Sequence, residues 1–274
     1  MENHDQGIAD SCKTFFHDFL QKCMYLEMCL SPWFYVQVLK KLLKSSREPD
    51  LRPVRVVELM CLTGHEIRKV GDKEKYRDYI KEAKDVYSAN TTEFETNPTS
   101  EVFYVNSYAD SISKKGDPAD KDEVWQLSKA ALQICDEKLK EDHPERAATL
   151  LFAGRFAKRM RKRSEAIVQL QEALKLYQGR LGKHVMTVGA LKEIGDFFMS
   201  VNTRGNLEKA FTHYKEALNI MKYLGMENNK NNINILKNYG VCAMKKGNYH
   251  EAMEYLEGRP LLLRESWKSV TCGK

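Results

Sequence analysis

The sequence predicts an all-α protein, a solenoid of stacked helical hairpins, and three observations predict it. Five segments align on a small residue, Gly64, Ala109, Gly154, Gly195 and Gly240, spaced 45, 45, 41 and 45 residues apart. A steady period of this length is the mark of a repeat architecture. Met60, Val105, Leu150, Leu191 and Leu236 stand four residues before the anchors, and Ile67, Ile112, Ala157, Phe198 and Ala243 stand three after them. Offsets of four and three lie on one helical face. Glycine (15) and proline (7) are also scarce among 274 residues, too few for the turns of an all-β chain.

Residues 1–52 predict two helices, about 8–29 and 32–45, with Pro32 suited to a first helical turn. Phe15, Phe16, Phe19, Leu20, Cys23, Met24 and Leu26 form a broad apolar face there, fit for a cap on the solenoid or for the end of an upstream domain. Residues 53–258 predict about five hairpins, the first helix of each carrying the anchor. Turn signals follow the anchors, most clearly in Lys246-Gly247-Asn248-Tyr249 and Arg204-Gly205-Asn206-Leu207. They predict that glycine closes the first helix and asparagine caps the second. The second helices carry Ala166, Ala210 and Ala252, and seven residues later in their repeats Ala83, Ala131, Ala173 and Ala217; Ile80, Leu170, Tyr214 and Leu256 fall between. One isolated hairpin cannot bury such a stripe, so neighbouring hairpins must stack. In the tail, 259–274, Pro260 interrupts the helix, and Leu261, Leu262, Leu263 and Trp267 predict a short folded-back helix.

The small eighth residue, the glycine before the second helix, and then alanine, aromatic and alanine resemble the tetratricopeptide repeat. Ala131-Leu132-Gln133-Ile134 followed by His143-Pro144, and Glu172-Ala173-Leu174-Lys175-Leu176 followed by Leu181-Gly182-Lys183-His184, resemble the longer repeats of kinesin light chains. The likeness spans about residues 53–258 and is weakest in the first two repeats, where Tyr76 and Val124 replace the first alanine. It implies a right-handed superhelix whose concave groove is lined by the first helices. The coiled-coil heptads of kinesin light chains are missing, so motor-cargo function is not implied.

Catalytic chemistry is not predicted. The seven histidines form no H-E-x-x-H and meet no cysteine at zinc spacing, so no metal or cofactor is expected. Gly179-Arg180-Leu181-Gly182-Lys183-His184 lacks the four-residue spacer of a phosphate-binding loop and reads as a repeat connection. Asp120, Asp122 and Glu123 read as a solvated insert between helices. The seven cysteines form no C-x-x-C pair, which predicts reduced thiols, with Cys61 packed as a small hydrophobe. The acidic start Met1-Glu2-Asn3-His4-Asp5 carries no signal pattern, and no apolar run reaches the roughly 18 residues of a membrane span. A cytoplasmic location is the resulting expectation.

What remains is binding. The formal charge of +6 is modest for a nucleic-acid binder, so its placement matters more than its size. The resemblance implies that positions two, five, nine, twelve and thirteen of each repeat line the groove. Arg68, Lys69, Lys114, Arg155, Lys158, Arg159, Lys192, Lys237 and Lys245 are basic there, against Glu58, Asp110 and Asp196. Asn106 and Asn234 fall on the same positions and could bond a peptide backbone. These nine cations and two asparagines are the expected partner-binding residues of an adaptor for an acidic or phosphorylated peptide segment. The dense run Arg155, Lys158, Arg159, Arg161, Lys162 and Arg163 keeps RNA as the alternative partner.

Overall fold

In a computed structural model, ten helices and no strand cover the described residues, 52–69, 71–113, 118–201, 203–226 and 233–250. The expected N-terminal helices, Ala252, Leu256 and the folded-back tail lie outside them. The chain divides into two units, 1–96 and 97–274. In the first, α1 (Pro53–Lys69) and α2 (Lys73–Ala89) form a hairpin joined by the short α3 (Thr91–Glu95). Asp72 caps α2 by accepting from the Lys75 amide at 3.1 Å. The α3 turn was not expected. It buries Phe94 edge-on against Tyr87, with ring centroids 4.7 Å apart.

The second unit holds α4 (Pro98–Ile112), α5 (Pro118–Lys138), α6 (Pro144–Arg159), α7 (Arg163–Leu181), α8 (Val185–Val201), α9 (Arg204–Tyr223) and α10 (Ile233–Lys245), with helix resuming at Tyr249. First helices pack most closely on their own second helices where both are described, as α6 on α7 and α8 on α9. The second helices pack on the next hairpin, and the first helices α4, α6, α8 and α10 are neighbours in series. A continuous core runs through this stack from Ala109 to Ala243. All ten residues predicted at offsets of four and three from the anchors are buried. Ala83, Ala131, Ala166, Ala173, Ala210 and Ala217 are fully enclosed, as are Leu170 and Tyr214 between them. The buried thiols include Cys61, Cys135 and Cys242.

The anchors are small because the partner helix crosses over them. A Cβ added to Gly195 would lie 2.6 Å from the Tyr214 ring, and one added to Gly154 would lie 2.8 Å from Leu170 and 3.2 Å from the Ala166 carbonyl. Gly64 is less tight, at 3.1 Å from Tyr76. Gly240 is buried like them, but the helix that would face it lies outside the described residues.

Four helix ends close through a left-handed residue whose amide and next amide bond back to carbonyls three and five residues earlier. Glycine supplies it at Gly71, Gly225 and Gly247, of which the turn signals named Gly247; Gly205, the other glycine they named, lies inside α9, and α6 closes on Arg161 at φ 59°. Asn248 does precede the last helical residues, whereas the expected cap Asn206 does not cap α9. Thr203, in extended backbone, takes that place and accepts from the Asn206 amide at 3.4 Å, drawing Arg204 and Gly205 into the helix. Two further expectations are corrected. Asp120, Asp122 and Glu123 sit in the opening turns of α5 rather than in an insert, since carboxylates suit a helix N-terminus. The helix α7 runs through Gly179 to Leu181, which shortens the repeat connection to Gly182, Lys183 and His184.

Two first helices start on histidine caps. The Nδ1 of His143 accepts from the Glu145 amide at 3.2 Å, and the Nδ1 of His184 accepts from the Met186 amide at 3.2 Å. An imidazole can do this only in its neutral form. Burial lowers both pKa values from 6.5, with Arg180 adding to the effect at His143 against an opposing Asp142. A group whose folded pKa is lowered binds its proton more readily unfolded. The caps therefore stabilise fully above about pH 6.5 and lose that contribution as pH falls through the lowered folded values.

Two outcomes are expected. Gly189 and Gly195 share α8, but a Cβ on Gly189 meets nothing within 4 Å. Gly189→Ala should stabilise by about 0.5–1 kcal/mol and Gly195→Ala should destabilise by about 1–3 kcal/mol, read as opposite shifts of the denaturation midpoint. The double variant His143→Asp/His184→Asp keeps a capping acceptor down to about pH 4, so its denaturation midpoint should fall less than that of the parent chain as pH drops below about 6.5.

Candidate interaction face

On the first helices of the second unit, polar side chains bond from one hairpin to the next. The Nδ2 of Asn106 on α4 donates to the Thr149 hydroxyl on α6 at 2.8 Å. Lys158 on α6 donates to Glu193 on α8 at 3.1 Å. Lys192 reaches Glu193 at 3.3 Å and Asp196 at 2.8 Å. Asp196 also accepts from Asn238 on α10 at 2.8 Å and from the Tyr214 hydroxyl at 2.5 Å. One carboxylate therefore ties α8 to both α9 and α10. Burial disfavours the Lys192 ammonium, but Glu193 and Asp196 outweigh it and hold its pKa above the ordinary value. Burial first, and then the charge of Asp196, hold the Tyr214 phenol well above its usual range, so it stays a donor.

This geometry places the expected binding residues unevenly. Arg68 lies in the first unit, its guanidinium 5.3 Å from the centre of the Tyr76 ring, and Lys69 ends the same helix. Lys114 lies outside the described residues. Asn106 spends its amide on Thr149, and its Oδ1 is buried without a hydrogen-bond partner. Lys158 and Lys192 are half-buried and neutralised by Glu193 and Asp196. Arg155 lies over the Phe152 ring at 5.8 Å and has no carboxylate partner among the described residues. Arg159, the last residue of α6, donates to the Ser113 hydroxyl at 3.3 Å. Asn234 and Lys237 are exposed on α10, and Lys245 is exposed at its end.

The sequence reading missed Glu193. It occupies position six, outside the five positions tallied, yet it neutralises two of the cations that were. Its adjacency to Lys192 was visible; its reach to Lys158 depends on how one hairpin seats on the next. Asn238, also at position six, was missed for the same reason. Among the described residues no group of His, Cys, Asp and Glu could hold a metal ion, and no helix is long and apolar enough to cross a membrane. A shallow depression of about 250 Å³ lies away from this face, between Gln178, Lys183, Thr187 and Glu216.

No protein-family model matches the chain, and no curated protein sequence does. Solved structures do resemble it. The structure of BtubC (BKLC) from P. vanneervenii is 16% identical with a TM-score of 0.62, over 89% of this chain and 94% of that one. A putative kinesin light chain from P. anserina with nearly identical TPR-like repeats is 14% identical with a TM-score of 0.56, over 81% and 99% of the two chains. A signal-transduction ATPase with numerous domains from Pyrococcus horikoshii, with a tetratricopeptide repeat sensor, is 19% identical with a TM-score of 0.53; the match covers 80% of this chain and 31% of that longer one.

Removing the Tyr214 hydroxyl isolates the link between Asp196 and α9. Tyr214→Phe should cost about 1.5–3 kcal/mol, the worth of a hydrogen bond to a charged group, and an unchanged urea midpoint would show that Asp196 is satisfied by Lys192 and Asn238 alone.

Proposed function

We propose that this chain, which has the fold of tetratricopeptide-like repeats of the kinesin-light-chain kind, is a non-catalytic interaction scaffold. It holds an extended acidic segment of a protein partner along the exposed side of its first helices. One observation carries the reading: α4, α6, α8 and α10 lie side by side and present a row of polar side chains long enough for an extended peptide. The cations of that row differ in availability. Lys158 and Lys192 are matched by Glu193 and Asp196, so attraction for an acidic segment falls to Arg155 and Lys237, with Asn234 one turn before Lys237 on α10 to bond a backbone.

The test is retention on immobilised peptide pools that are Asp/Glu-rich, neutral or Lys-rich, beside a single-stranded RNA pool. The parent should hold the Asp/Glu-rich pool best. Arg155→Glu/Lys237→Glu should weaken it roughly three- to tenfold, while Glu193→Gln, which frees Lys158 and leaves Lys192 with Asp196 alone, should strengthen it by a similar factor. Equal retention of acidic and neutral pools would end the reading. Preferential retention of RNA, with a steep loss on adding salt, would replace it by the nucleic-acid alternative.

A further inference from the structure

We propose that the edge of the α6–α7 hairpin, formed by Arg159, Arg161 and Arg163, is a second docking surface, made for carboxylates of an acidic protein segment. It rests on the scaffold reading above but uses different residues from the row of Arg155 and Lys237. The first support is conformational. Among the described residues Arg161 is the sole non-glycine residue at positive φ, and it occupies the closing position that Gly71, Gly225 and Gly247 hold at three other helix ends with the same hydrogen bonds. Left-handed backbone is disfavoured for any residue with a Cβ, so glycine would close α6 with less strain. The fold has no use for an arginine side chain there, which stands exposed with no partner in the hairpin. A long cation kept at a strained position is explained by what it meets outside the chain.

The second support is electrostatic. Six of the nine residues 155–163 are basic, and those of the turn are not balanced locally. Lys158 is paired with Glu193, and Lys162 rests on the Trp125 ring at 3.8 Å with Glu165 at 4.0 Å. Arg159, Arg161 and Arg163 are all exposed, and among the described residues none has a carboxylate partner; Arg159 donates to the Ser113 hydroxyl. Three exposed guanidinium groups within five residues of chain offer planar forks that match carboxylates two bonds at a time.

The third support decides between partners. Single-stranded RNA would need an open aromatic face on which to stack bases. The aromatics in and against this hairpin edge, Trp125, Phe152 and Phe156, are buried, and Trp125 is roofed by Lys162. Carboxylates need no such platform, so the edge favours an acidic protein segment over nucleic acid.

Arg161→Gly is the diagnostic change because structure and binding should move in opposite directions. It relieves the left-handed strain, so the melting temperature should stay level or rise. In Arg159→Ala/Arg161→Gly/Arg163→Ala, affinity for an immobilised Asp/Glu-rich peptide should fall about tenfold or more, and Arg161→Gly alone should supply part of that loss. Parent-like peptide binding by the triple variant overturns the proposal; if Arg155→Glu/Lys237→Glu loses binding in the same assay, the scaffold reading stands without this edge. A larger loss for single-stranded RNA than for the peptide overturns the choice of an acidic protein segment. A parent chain that holds the acidic peptide no better than a neutral one removes both readings.

Discussion

Everything in the stacked unit depends on how near two helices of a hairpin can come. Gly195 has only hydrogen where the Tyr214 ring crosses it, and that near approach carries the Tyr214 hydroxyl to Asp196 on the following residue. Asp196 then gathers Lys192 and Asn238, and through Asn238 it fixes where α10 sits. The same economy holds at Gly154, where Leu170 fills the space over the backbone. Apolar packing brings the hairpins together, and a missing side chain sets the distance at which polar groups between hairpins can meet.

That dependence explains what the sequence could and could not say. Offsets of four and three around each anchor follow from helical pitch alone, so all ten flanking residues were predicted as core and are core. Turn chemistry was readable where it obeyed the local rule, as at Gly247. It failed where a neighbouring residue competed better, since Thr203 in extended backbone captures the cap that Asn206 was expected to provide. Arg161 was invisible as a closing residue because sequence preference assigns that place to glycine.

The binding face was the least legible part, and the reason is geometrical. Charge at groove positions can be counted within one repeat, but neutralisation is settled between repeats. Lys158 and Glu193 are 35 residues apart and occupy different positions of their repeats, so no single-repeat template pairs them. The tally of cations thus described charge without describing its availability. Once Glu193 and Asp196 are included, Lys158 and Lys192 drop out, and the basic character of these first helices rests on Arg155 and Arg159 of α6 on one side and Lys237 of α10 on the other.

The three buried thiols have a use that packing alone would not suggest. Cys61 lies in α1, Cys135 in α5 and Cys242 in α10, each alone among the described residues of its own hairpin. Burial pushes the Cys135 thiol up and the Cys242 thiol up to about 11, so the closed forms present little thiolate to an alkylating reagent. Modification must wait for a hairpin to open. The described residues thus carry three native chemical clocks, and their separate labelling rates would report whether the repeats come apart together or peel from one end.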